Sequence, residues 1–365
     1  MKLFSSKSLP AYSRRLSLVT VGLLAVGATG LDLGQSPARQ MQTYATAYLD
    51  TLDESQRQQT TMDFDSPKRV GWHFIPKDDR KGLKLEQMND AQRTAALRLL
   101  RAALSEAGYR KANQIMLLEE VLNELEKGQG GNERNPEKYY VTLFGTPGSD
   151  ESSASGDAAD RWGLSFEGHH MSLNFVCRGN QMLDSTPQFL GANPGVIKDD
   201  TGVTLSKGTA VLSREEQLGF KLIRSLSDEQ KEMAVFAEEA PRDIRFAGEA
   251  QPTPGPAEGI EYAKLDAAQQ DVLRDLVKTH TNVVAEPVAE ARRAQIEADG
   301  WDQVQFAWAG ATKPGVGHAY RITGERFLIE FNNTQSDPSG NPANHIHCIY
   351  RDLTGDFDLP ADSDQ

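Results

Sequence analysis

Between Glu330 and Asp352 the chain reads EFNNTQSDPSGNPANHIHCIYRD, which gathers a carboxylate, two histidines, an arginine and an aspartate into one strand–loop–strand unit. Alternate residues of a strand share a face, so His345 and His347 point one way while Ile346 and Cys348 point the other. Two imidazoles on one face suit a metal ion or a charged ligand. A second histidine pair lies in the run Glu167-Gly168-His169-His170-Met171-Ser172-Leu173-Asn174-Phe175. Here alternation groups His170 with Ser172 and Asn174, and leaves His169 with Met171, Leu173 and Phe175. His170 is therefore the site candidate, and His169 the core or hydrogen-bonding one.

These residues predict a mononuclear metal centre with His170, His345 and His347 as ligands and Glu330 as fourth ligand or general base. Such a set suits one divalent transition metal (zinc, copper or iron), and the metal would make bound water a hydrolytic nucleophile. Arg351, or Arg161 beside Trp162, would neutralise negative charge developing on a substrate. Asn174, Asn344 and Asp352 complete the expected substrate contacts with Arg161 and Trp162. A competing reading needs no metal: His345 and His347 hydrogen-bond Asp352 or loop carbonyls, and Glu330 pairs with Arg351 across neighbouring strands. The four tryptophans, Trp72, Trp162, Trp301 and Trp308, read as core fillers.

Positioning these groups requires strands. They are expected at 139–145, 162–177, 182–190, 303–309, 317–332 and 344–351, and helices at 40–60, 89–106, 112–127, 214–239, 266–280 and 285–298. Asn89 and Asp266 stand where N-caps belong. The segment Gly82-Leu83-x-x-x-x-Met88-Asn89-x-Ala91-Gln92 recurs as Gly259-Ile260-x-x-x-x-Leu265-Asp266-x-Ala268-Gln269. Leu52-Asp53-Glu54-Ser55-Gln56 has a similar echo in Leu226-Ser227-Asp228-Glu229-Gln230, and residues 167–175 fall against 323–331. The expected architecture is α+β and internally duplicated. Two helix-then-strand halves, 39–200 and 201–365, would be related by a pseudo-twofold axis and share mixed or antiparallel strands, with a pocket at their seam. Residues 150–160 read as a loop, and Gln251 to Pro256 as a linker.

Composition narrows the function classes. The 365 residues are 38% apolar and 25% charged, with a net charge of -13. Nothing supplies the basic stripe that nucleic acid requires, and an acidic chain does not dock on anionic lipid. Residues 1–38 read as a signal peptide: Lys2, Lys7 and Arg14-Arg15 precede an apolar run from Leu16 to Gly30, too short to span a bilayer. The arginine pair is reminiscent of a twin-arginine signal, and cleavage is expected after Ala28 or Ala38. The expected location is periplasmic or extracellular, with no integral membrane domain after signal removal. Cys177 and Cys348 each alternate with apolar neighbours and are expected to be buried thiols, joined only if their strands are adjacent. The chain lacks a Gly-x-Ser-x-Gly elbow, a phosphate-binding glycine loop and a His-Glu-x-x-His helix.

The chain resembles an uncharacterised bacterial and fungal family, domain of unknown function 3500. The residues that carry the resemblance are Arg69-x-x-Trp72-x-Phe74-x-Pro76, Gly82-Leu83-x-Leu85-x-x-Met88, Leu118-Glu119-x-Val121-Leu122-x-x-x-Glu126 and Tyr140-x-x-x-Phe144-Gly145-x-Pro147. They continue through Gly168-His169-His170-x-Ser172-Leu173-Asn174, Phe189-x-Gly191-Ala192-x-Pro194 and Leu328-Ile329-Glu330-Phe331-x-Asn333-Thr334-Gln335, to Asn344-His345-Ile346-His347 and Arg351-Asp352. The resemblance supplies no activity. The leading expectation from the residues is an exported metal-dependent hydrolase acting on a small molecule. The alternative is a binding protein for a small anionic or sugar ligand.

Overall fold

The computed structural model describes residues 36–127, 133–148, 161–253 and 255–360. The expected signal peptide lies outside them except for its last three residues. Ser36 caps the first helix and its hydroxyl donates to Asn180 O at 2.6 Å, and Ala38 is buried, so a boundary after residue 38 falls inside that helix.

The first part of the chain forms α1 (Pro37–Asp50), α2 (Glu54–Thr60), β1 (Thr61–Met62), β2 (Leu83–Lys84), α3 (Asp90–Ala103), α4 (Glu106–Leu125), β3 (Tyr139–Phe144), β4 (Arg161–Gly168), β5 (Met171–Arg178), β6 (Gln181–Asp184) and β7 (Gln188–Ala192). It continues through α5 (Ser213–Ser225), α6 (Asp228–Ala234), β8 (Val235–Ala237), β9 (Ile260–Glu261), α7 (Ala267–Thr281), α8 (Glu286–Asp299), β10 (Gln305–Gly310), β11 (His318–Thr323), β12 (Phe327–Gln335) and β13 (His345–Asp352). The class is mixed α+β.

The helix expected over 40–60 is two helices, because the Asp53 carboxylate accepts from Gln56 N while Gln56 accepts from Asp53 N. That capping box starts a new helix. Ser227 and Gln230 divide 214–239 in the same way. The strands expected over 162–177 and 317–332 are hairpins. The core-facing positions change parity at each turn, from Trp162, Leu164 and Phe166 to Met171, Leu173 and Phe175, and from Tyr320 and Ile322 to Phe327, Ile329 and Phe331. Asn89 and Asp266 cap α3 and α7 as expected, each in a capping box.

All strands join one sheet, ordered β1-β3-β4-β5-β7-β13-β12-β11-β10-β8, with β2 on β3, β6 on β5 and β9 on β10. One face carries a row of partners running Tyr139, Gly168, Met171, Leu190, Cys348, Phe331, Tyr320 and Trp308. The helices bury this face through residues such as Leu99, Leu100, Leu273 and Leu276. The opposite face carries Glu167, Ser172, Phe189, Ile349, Glu330 and Arg321 in one row, and Gly191, His347 and Asn332 in the next. Among the described residues two small clusters cover it, Trp72, Phe74, Phe189, Ile244, Ile349 and Phe357 in one and Phe64, Phe144 and Val176 in the other. The polar face is thus roofed by loops, the arrangement that leaves room for a site.

The α3–α4 and α7–α8 corners also touch. Ala285 N donates to Ala103 O and Ser105 N to Val283 O, each at 3.0 Å. Gly108 permits the approach, since a Cβ there would stand 1.9 Å from Val283 O. Cys177 and Cys348 are free and buried. No described helix is long and apolar enough to cross a membrane.

Candidate metal centre

β13 presents His345 and His347 on the loop-roofed face, and the β4–β5 turn carries His170 to them. His170 Nε2 lies 2.8 Å from His345 Nε2, which lies 3.1 Å from His347 Nε2. Three nitrogens converge with little to bond but one another. Neutral imidazole has one donor and one acceptor nitrogen, so three Nε2 atoms meeting at a point leave lone pairs unanswered. Tetrahedral ligands of zinc at about 2.0–2.1 Å stand roughly 3.3 Å apart, close to this spacing.

The rings are held in that pose. His347 Nδ1 is 2.6 Å from Asp243 Oδ1, which places its proton there and leaves Nε2 bare. The ring also lies edge-on to Phe74, 4.7 Å between centroids, and Phe74 stacks on Phe189 at 4.0 Å. His170 adopts φ 61°, a left-handed conformation costly for a residue with a Cβ. Its backbone is fixed on both sides: His170 N donates to Phe74 O at 2.9 Å, and Gly191 N donates to His170 O at 2.7 Å. The ring rests against Gly191, where a Cβ would meet His170 Cδ2 at 2.8 Å. Gly191 is therefore required to lack a side chain.

The electrostatics suit metal ligation. Burial holds His170 well below the usual imidazole range, helped by His169, His345 and His347. Burial, with His347 and His169 alongside, pushes His345 down to about 2. Both rings are neutral near pH 7, the form that binds metal. His170 and His347 are buried, and His345 is partly exposed.

A second group adjoins the first. His169 Nδ1 lies 2.6 Å from Glu119 Oε1, its ring is tilted 30° to that of His170 at 3.8 Å between centroids, and Arg134 Nη1 reaches the same Nδ1 at 3.1 Å. Glu119, His169 and His170 bring one ligand atom each within 4.8 Å of the others, as do His170, His345 and His347.

The other expected site residues are placed and engaged elsewhere. The Glu330 carboxylate accepts from Arg245 N at 2.7 Å and Arg245 Nε at 2.5 Å, with Arg321 Nε at 3.4 Å. Arg351 is fully buried against Asp356 at 2.5 Å and donates to the carbonyls of Phe246, Glu249 and Ala250. It does not pair with Glu330. Arg161 pairs with Asp358 at 3.0 Å, and Trp162 lies in the helix-side core. Asn174 donates to Pro187 O, and Asn344 clips Val196 from both its N and O atoms. Asp352 accepts from Thr354 N in a turn. Among the described residues the ring nitrogens of His345 and His347 contact His170, each other and Asp243, and not Asp352 or a loop carbonyl.

Asp243, Glu119 and Arg134 were not singled out as site residues in the sequence. Asp243 and Arg134 stand in irregular segments with no periodicity to mark them. Glu119 did carry a signal: it sits on the buried stripe of α4 with Ile115, Leu118 and Leu122, where a carboxylate needs a partner.

A family model described as "Protein of unknown function (DUF3500)" matches residues 34–359, nearly the whole chain. The chain belongs to the DUF3500 family. No curated protein and no solved structure matches it. The family description carries no activity, so the chemistry of this DUF3500 protein has to be argued from the histidines themselves.

Proposed function

We propose that this DUF3500 protein is a metal-dependent enzyme, most simply a hydrolase of small molecules, built on a mononuclear centre of His170, His345 and His347. The observation that carries this reading is the convergence of three Nε2 atoms, one of them fixed by Asp243. Three imidazoles leave a fourth position for water, whose pKa a transition metal such as zinc lowers toward neutrality. In this reading Glu330 and Arg351 serve the frame around the centre, and the substrate reaches the metal past His345.

A second reading, metal or ligand binding without turnover, is favoured by one observation: Glu330, Arg351, Arg161 and Asn344 are all bound within the protein, so none of them is free to act as base or charge stabiliser. The proposal extends to export, supported by the basic and apolar N-terminal pattern, and N-terminal sequencing of the exported chain tests it. It also extends to descent from a duplicated unit. In support, β1 runs parallel on β3 as β8 does on β10, while β2 and β9 pair antiparallel with the same two strands. Gln92 bonds Gln56 and Thr51 O, and Gln269 bonds Gln230 and Ser225 O.

Elemental analysis of the purified protein beside a His345→Ala/His347→Ala variant tests the centre. About one equivalent of zinc, copper or iron, lost in the variant, is the expected result. No metal in either sample after reconstitution sinks the proposal. A metal-loaded protein inert toward a broad panel of esters, amides and phosphoesters supports the second reading.

A further inference from the structure

We infer that Arg134 limits this centre to a single metal ion, its guanidinium occupying a second ligand group that would otherwise be complete. The inference rests on the three-histidine reading above. Glu119, His169 and His170 form a compact carboxylate-and-two-imidazole set, of the type that holds zinc in hydrolases. The set shares His170 with the first group, so a cation in each would have to be bridged by its imidazolate, one ion on each ring nitrogen.

A cation already stands there. Arg134 Nη1 is 3.1 Å from His169 Nδ1 and 4.0 Å from Glu119 Oε2. Its Nε and Nη2 donate to Glu126 at 2.7 and 2.8 Å, a fork that fixes the plane of the guanidinium. The Arg134 and Glu119 side chains are 8% and 4% exposed, so little solvent screens the group. Guanidinium does not deprotonate in proteins, and its repulsion of a dication a few ångströms away persists at every working pH. Without it, the Glu119 carboxylate would face His169 and His170 without the Arg134 charge beside them, which favours capture of a dication. Arg134 is thus a residue that sets metal number, and the chemistry available at the first group is that of one metal.

The test is titration of metal-free protein with zinc, read by elemental analysis after gel filtration, and with copper(II), read by electron paramagnetic resonance. Wild type is expected to saturate at one ion per chain with an uncoupled copper spectrum. Arg134→Gln and Arg134→Met are expected to take a second ion at least tenfold more tightly than wild type does, with spin coupling between the two coppers. Arg134→Lys, which keeps the charge, stays at one, and Arg134→Gln/His169→Ala returns to one. Circular dichroism confirms that each variant is folded. Two ions in wild type overturn the inference without recourse to any variant, as does a folded neutral variant that saturates at one. No ion in wild type overturns the three-histidine reading itself, and this inference with it.

Discussion

Asp243 and His347 come from segments 104 residues apart and meet at 2.6 Å, Oδ1 to Nδ1. Asp243 thereby decides which nitrogen of His347 keeps its proton. Removing such a partner lowers metal affinity about 10–100-fold while leaving the ligand in place. Asp243→Ala is expected to show that loss in a competitive chelator titration, with a near-normal melting temperature in the metal-free state. Unchanged affinity would mean that His347 does not bind metal through Nε2.

Gly191→Ala tests the floor of the centre. The new Cβ would lie 2.8 Å from His170 Cδ2 and 3.0 Å from Ile346 O, so ring or strand must move. A displaced His170 leaves two ligands, and the expected result is metal loss together with destabilisation of about 1–3 kcal/mol. Calorimetry with and without chelator checks both. Full metal occupancy in Gly191→Ala would exclude His170 as a ligand in this pose.

Glu330 and Arg351 behave as frame residues, each held by its own partners. Arg351→Ala leaves the fully buried Asp356 uncompensated, and about 3–5 kcal/mol of stability is expected to go. Glu330→Gln weakens its bonds to Arg245 and is expected to cost less. Neither should change metal content in folded protein. Loss of metal from folded Glu330→Gln, measured by elemental analysis, would return Glu330 to the centre.

Asp184 gives a pH signature away from the metal. Burial, with Asp356 nearby, pushes its carboxyl up to about 7 from an ordinary 3.8. The folded chain therefore binds this proton more tightly than the unfolded chain, so its contribution is full below about pH 3.8 and lost as pH rises through 7. Each pH unit between those limits is worth at most ~1.4 kcal/mol. Asp184→Asn removes the titration, so its stability relative to wild type should rise between pH 5 and pH 8. Denaturant unfolding at the two pH values checks this, and an equal difference at both would refute it.

Much of this arrangement was legible in the sequence, for local reasons. Strand alternation put His345 and His347 on one face, and it separated His170 from His169. Capping residues marked where α3 and α7 begin. What alternation cannot carry is the partner of a side chain. Glu330 does share a face with His347, but its bonds to Arg245 depend on how the segment before residue 250 folds over the sheet. Arg351, expected to stabilise charge on a substrate or, in the competing reading, to pair with Glu330, instead anchors that segment through three backbone carbonyls. Asp243 and Arg134 lie in irregular segments and become site residues only by tertiary placement. The hairpin turn at His169-His170 is marked by a change of parity in the apolar positions, Phe166 before it and Met171 after it, which one continuous strand does not allow.

The histidines that meet at 2.8 Å, His170 and His345, are 175 residues apart in the chain. During synthesis the earlier one emerges long before its companions. At about 5–20 residues per second, that interval is roughly 9–35 seconds. A half-made chain accordingly holds one imidazole of the three-histidine group and cannot complete it. The metal uptake proposed for these three ligands would then be a late event, reporting that both strands of the β7–β13 pairing have been made and joined.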